Sequence, residues 1–183
     1  MANPEHKEVL DGLDKLGVCL YRAGISLFAL SLLVFSVMLS GTSGDFARAY
    51  SFALLAICIS CALSAANIHI YSKNVRAAIC WSAWGGILLM LSDSEQTRIW
   101  LSLGFIFITF SGIALKESFC FKVVGLKFVP LLLAASTLSL WLQQYLVASV
   151  LMALSALIMG YLSIMKWRMP LHYDIGIKAN YEI

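Results

Sequence analysis

Charged residues divide the chain into long apolar stretches, and uncharged runs cover 23–44, 49–72, 77–92, 99–115 and 128–165. A helix that crosses a bilayer needs about 20 mainly apolar residues. The last run, as one helix at 1.5 Å per residue, would extend roughly 57 Å, nearly twice the hydrocarbon core. It must therefore fold back, and Gln143-Gln144, between Trp141 and Tyr145, is the polar break available to it. The pattern predicts an all-α membrane protein with six transmembrane helices in a single bundle. Their expected positions are about 23–41, 47–70, 75–92, 98–115, 128–142 and 145–165.

Ahead of the first run, Val9, Leu13, Leu16 and Leu20 recur every three or four residues, while Lys7, Asp11 and Lys15 form a charged ladder on another face. This spacing predicts a short N-terminal amphipathic helix from Pro4 to about Leu20, lying on the cytoplasmic surface of the bilayer or, in the alternative reading, packed on the domain as a soluble lead-in helix. The expected organisation is an interfacial amphipathic segment over 1–22, a six-helix transmembrane domain over 23–168 and a cytoplasmic C-terminal tail over 169–183.

Small residues mark packing faces, because they let membrane helices approach closely. Ala56, Ser60 and Ser64 share a face of the second span, which is expected to be the innermost helix. Ala78, Ser82 and Gly86 form a seam on the third, where Trp81 and Trp84 are expected to fill the bundle. Ser149, Ala153, Ala156, Gly160 and Ser163 do the same on the sixth.

Composition supports the membrane reading: 61% of residues are hydrophobic and 13% charged, against roughly 25% charged in an average soluble domain. The distribution of the basic residues orients the chain. With six spans, Lys7, Lys15, Arg22, Lys73, Arg76, Lys116, Lys122, Lys127, Lys166, Arg168 and Lys178 fall on one side, and Arg48 and Arg98 on the other. By the positive-inside rule both termini are expected in the cytoplasm. Glu5, Glu8, Asp11 and Asp14 precede the first span, unlike the basic start of a cleaved signal peptide. The five cysteines are odd in number, and none falls in an expected external loop, so no structural disulfide is indicated. Cys58 and Cys61 have Cys-x-x-Cys spacing but lie in mid-span, where packing is the expected role.

Candidate chemistry is sparse. Apart from Arg22 and interfacial charges, no Asp, Glu, Lys or Arg falls inside a span, which disfavours a proton-driven pump. Gly41-Thr-Ser-Gly44 spells the Gly-x-Ser-Gly of rhomboid proteases. A serine nucleophile needs a base within hydrogen-bond reach, and His6, His69 and His172 are all assigned to the opposite side. There remains a cytoplasm-facing set: His69 after the second span, Glu117 and Cys120 after the fourth, His172 and Asp174 after the sixth. These are the residue types of a zinc or iron site, and they are expected to converge at one depth. In the alternative reading His69 snorkels, Glu117 pairs with a nearby lysine and the tail meets lipid headgroups.

Three stretches, Ile68-His-Ile-Tyr71, Lys116-Glu-Ser-Phe-Cys-Phe121 and Leu171-His-Tyr-Asp-Ile-Gly-Ile-Lys178, resemble the signature segments of a bacterial family of predicted integral membrane proteins, catalogued as a domain of unknown function. The resemblance spans nearly the whole chain and implies a multi-span protein of the bacterial inner membrane. It implies no particular activity, substrate or cofactor. The favoured function is a non-enzymatic structural, assembly or interaction role, in contact with the lipid bilayer and with a membrane-protein partner or a second copy of the chain, and not with nucleic acid. One alternative is a small-solute or ion permeation protein. Another is a metal-dependent or redox protein acting at the cytoplasmic face.

Overall fold

A computed structural model describes residues 9–41, 47–120 and 123–182. Its first helix, α1 (Gly12–Leu39), opens on a reciprocal cap. Asp11 Oδ1 accepts from the Asp14 backbone N–H at 2.7 Å, and Asp14 Oδ2 accepts from the Asp11 N–H at 3.0 Å, which satisfies two donors the helix start would leave bare. From there α1 continues without a break through Arg22. Asp14 and Lys15 therefore lie in the opening turns of the long helix, and no separate amphipathic helix precedes it among the described residues. Residues 1–8, which hold the expected start of that element, lie outside the described residues, as do residues 42–44 of the Gly-x-Ser-Gly stretch.

The chain continues through α2 (Ala47–Ala66), α3 (Lys73–Ser92) and α4 (Ile99–Cys120). A short 3-10 turn at Leu126–Phe128 then leads into α5 (Val129–Trp141), with Pro130 in its first turn, where a missing N–H costs least. The Gln143-Gln144 break is the reversal between α5 and α6 (Tyr145–Trp167): Gln143 takes a left-handed backbone with φ 58°, and the Gln144 N–H returns to Ser139 O at 2.8 Å. Among the described residues five helices are long and apolar enough to cross a membrane. The sixth apolar segment, Leu126–Trp141, is shorter. At 1.5 Å per residue it extends roughly 24 Å against a hydrocarbon core of about 30 Å.

Consecutive helices pack side by side from α1 to α6, and α6 returns against α1 to close the bundle. The most enclosed span is α1 rather than the expected α2: 56% of its most apolar stretch is buried, against 44% for α2. Bulk explains the difference. Phe28 and Phe35 of α1 are fully buried, and the Phe28 ring stacks on Phe110 of α4 at 3.5 Å between centroids, with Phe107 edge-on at 6.3 Å. The small face of α2 is what lets α1 reach that position. A Cβ on Gly24 of α1 would lie 2.3 Å from Ser64 Oγ and 3.0 Å from Ser60 O, so the two backbones cross where only glycine fits.

On α3 the buried seam runs through Ile79, Ala83 and Gly86, while Ala78 is exposed. That rotation turns Trp81 (78% exposed) and Trp84 outward, so they do not fill the bundle as expected. After α6, Pro170 and two short helical turns, α7 (His172–Ile175) and a 3-10 turn at Lys178–Asn180, carry the tail back across the bundle.

Candidate functional site

The site forms at the end of the bundle where α1 begins and α6 ends. Pro170 stops α6 from continuing, and α7 drops Asp174 into the centre of that end, where it is 6% exposed. Arg22 of α1 reaches it from one side. Its Nε donates to Asp174 Oδ2 at 2.8 Å, with Nη2 on the same oxygen, and its remaining donors hold the Met169 and Pro170 carbonyls at 2.8 and 3.0 Å. Lys166, in the last turn of α6, pairs with the other carboxylate oxygen of Asp174. It also meets Glu117 Oε2 of α4 at 2.8 Å. Glu117 Oε1 in turn accepts from the Tyr21 hydroxyl of α1 at 2.7 Å and lies 3.2 Å from Lys116 Nζ.

Arg22, Tyr21, Glu117 and Lys166 are each 2% exposed or less. Charges so enclosed persist only with partners, because removing them from water costs several kcal/mol per ion. The ion pairs join the last turns of α4 and α6, a core position of α1 and the tail, and so hold four separate stretches in one arrangement. The Tyr21 ring fills the space between the two lysines, with Lys116 Nζ 4.8 Å and Lys166 Nζ 5.2 Å from its centroid, within cation–π range.

A second set of contacts holds the tail over the α2–α3 connection. Gly176, at φ 69°, brings its backbone against Tyr71: a Cβ there would fall 2.1 Å from the phenol oxygen, and the Ile177 N–H donates to that oxygen at 2.8 Å. Further along, the Glu182 N–H donates to Tyr71 O at 3.0 Å, and Glu182 Oε2 accepts from the Lys73 N–H at 2.8 Å. Arg76 bridges the Ile70 and Glu182 carbonyls. The Tyr181 ring meets Tyr71 edge-on at 4.9 Å and His69 at 6.4 Å, and its hydroxyl donates to Ile175 O. Burial pushes the Tyr181 phenol above its ordinary range. Lys178 pairs with Asp14 and ties the tail to the start of α1.

Beneath this strap lies a cavity of about 290 Å³, bordered by the α2–α3 connection, the last turn of α4 and α7. His69, Cys120 and Asp174, three of the five residues expected to form a metal site, line it. Glu117 is engaged instead by Lys166, Lys116 and Tyr21, and His172 stacks on its neighbour Tyr173 at 4.7 Å. Among the described residues no group of three or more His, Cys, Asp or Glu could hold a metal ion. The physical reason is that both carboxylates already neutralise ammonium and guanidinium groups. His69 is half-buried, and desolvation, followed by the positive charge of Lys116, lowers its pKa from the ordinary value, so the imidazole is held neutral near pH 7.

Arg22, Lys166 and Tyr21 were absent from the expected site. Their signal is helical period: Arg22 sits four residues after Val18 and three before Ile25, both buried, and Lys166 sits four after the buried Leu162. Read by period rather than by proximity to the span ends, both cations fall on core faces.

The model of the family described as uncharacterized integral membrane protein (DUF2301) matches residues 62–183. The chain is also 33% identical over 183 residues to an uncharacterized protein of Haemophilus influenzae, with the whole of both chains covered. No solved structure matches it.

Proposed function

The chain belongs to the DUF2301 family of integral membrane proteins, and on that premise we propose that it crosses the bacterial inner membrane six times with both termini in the cytoplasm. The short α5 counts as a crossing in this reading because it packs between α4 and α6. The distribution of basic residues orients the bundle. Residues 23–168 then form the transmembrane domain and 169–183 a cytoplasmic tail, while 1–22 divides between a leading segment and the opening turns of α1.

Its role is that of a non-catalytic interaction or assembly protein, which presents a preformed cytoplasmic surface to a membrane partner or a second copy of itself. One observation carries this reading: Arg22, Lys166, Glu117 and Asp174 at the terminal end are engaged with one another as buried pairs. Such an arrangement fixes geometry, and the tail that completes it is tied down at Tyr71, Arg76 and Asp14. The test is extraction from native membranes in mild detergent after brief amine cross-linking, with the mass of the recovered particle measured. A stoichiometric partner or a second copy is expected. A particle holding one chain, cross-linked to nothing, overturns the reading.

A further inference from the structure

Five buried side-chain atoms among the described residues make no hydrogen bond: Ser64 Oγ, His69 Nδ1, Ser102 Oγ, Lys116 Nζ and Asp174 Oδ1. Three of the five belong to residues that line the cavity under the tail. Asp174 Oδ1 has the Lys166 ammonium against it. The other two are more telling. Lys116, a residue of the cavity lining, has its Nζ paired with Glu117 Oε1 at 3.2 Å and set over the Tyr21 ring, yet none of its three N–H donors makes a hydrogen bond. His69, another residue of the lining, has its Nδ1 buried and likewise without a hydrogen bond. Buried donors and acceptors of this kind destabilise a fold when left unmade.

We propose that this cavity is a binding site for a singly charged oxyanion, a phosphodiester or carboxylate group carried on an apolar body, held by the Lys116 ammonium with His69 as a second polar contact. The electrostatics favour an anion. The ion pairs around Glu117 and Asp174 join three cations, Arg22, Lys116 and Lys166, to those two carboxylates, and Lys116 is the cation of the three that borders the cavity. The walls favour an amphiphile, since Ile70, Tyr71, Phe119, Tyr173 and Ile175 line the cavity beside those polar residues. The site also sits at the ends of α4 and α2, where a membrane-spanning bundle meets headgroups. The same chemistry can come from an anionic phospholipid or from a small soluble phosphate, and the experiment separates the two.

The full chain is purified and its melting is followed in detergent with inorganic phosphate against chloride at equal ionic strength. It is also followed in nanodiscs of phosphatidylcholine alone or mixed with phosphatidylglycerol. In parallel, the rate of maleimide labelling at Cys120, an exposed thiol on the cavity wall, is read by peptide mass spectrometry. The expected result is a melting shift that grows with probe concentration, together with slower Cys120 labelling, and loss of the shift in Lys116→Gln and in His69→Gln. A response to inorganic phosphate assigns a soluble oxyanion, and a response confined to phosphatidylglycerol assigns a lipid headgroup. If Lys116→Gln fails to fold, His69→Gln and the labelling of the unsubstituted chain decide. Melting and labelling that respond to neither probe, or shifts of equal size in His69→Gln and the unsubstituted chain, overturn the proposal.

Discussion

Asp174 offsets two buried cations at once, Arg22 through one carboxylate oxygen and Lys166 through the other. Its removal leaves a guanidinium and an ammonium enclosed with Glu117 as the remaining described counter-charge. Breaking one side of a buried pair costs about 3–5 kcal/mol, much more than losing an exposed one. Asp174→Asn is therefore expected to destabilise the protein by about that amount, read as a fall in denaturation midpoint in detergent. Asp93 is the control, because its carboxylate caps the α3–α4 turn in solvent through the Arg98 and Thr97 N–H groups. Asp93→Asn is expected to change the midpoint little, because asparagine keeps an acceptor oxygen for the turn and caps about as well as aspartate. Equal losses for the two substitutions would mean that the Asp174 network is open to water.

At the scale of elements, the α1–α2 crossing sets how close the central helix lies to its neighbour. Ser60 and Ser64 are fully buried against the Gly24 backbone, and Ser60 Oγ is satisfied within its own helix by Ile57 O at 2.7 Å. Leucine at either position has no space to enter. Ser64→Leu is expected to cost about 1–3 kcal/mol by overpacking and to lower the melting temperature, whereas a leucine at the outward-facing Trp81 should change it little. A silent Ser64→Leu would place α2 farther from α1 than described. The α2 small-residue face was legible in the sequence as a contact surface. Its rank was not, because a stripe of small residues announces close approach without saying whether the helix bearing it or the bulky helix opposite it is central. Phe28 and Phe35, stacked among α4 and α2 residues, settle that in favour of α1.

For the molecule as a whole, the sharpest test is topological. Reporter fusions after Gln144 and at Ile183 should report opposite sides of the membrane if α6 crosses it, and fusions after Gly125 and after Gln144 should do so if α5 crosses it. Leu126–Trp141, shorter than the five long apolar helices, is the segment on which the second pair turns. The same side within either pair would reduce the crossings and separate the terminal charges that the tail brings together. The Lys178–Asp14 and Arg22–Asp174 pairs require the start of α1 and the tail to share one end of the bundle, so the fusions also check the network.

Class, approximate spans, the α5–α6 reversal and the end of the bundle that holds the ionisable residues all follow from local quantities: lengths of uncharged runs, the Gln143-Gln144 break and the placement of basic residues. These depend on neighbours in sequence and on the bilayer as solvent. Partnerships are different. Arg22 meets a carboxylate 152 positions away, and Tyr21 one 96 positions away. Nothing in either residue's vicinity specifies which helix end lies laterally adjacent. Lys166 reads locally as an interfacial anchor beside Trp167, yet the rotation of α6 turns it inward, where it is 1% exposed. His69, Cys120 and Asp174 share a depth in the sequence and a cavity in the fold, while Glu117 is drawn away by Lys166. Depth is set by hydropathy one segment at a time; lateral pairing is set by how six helices pack together, and that the tertiary structure alone decided.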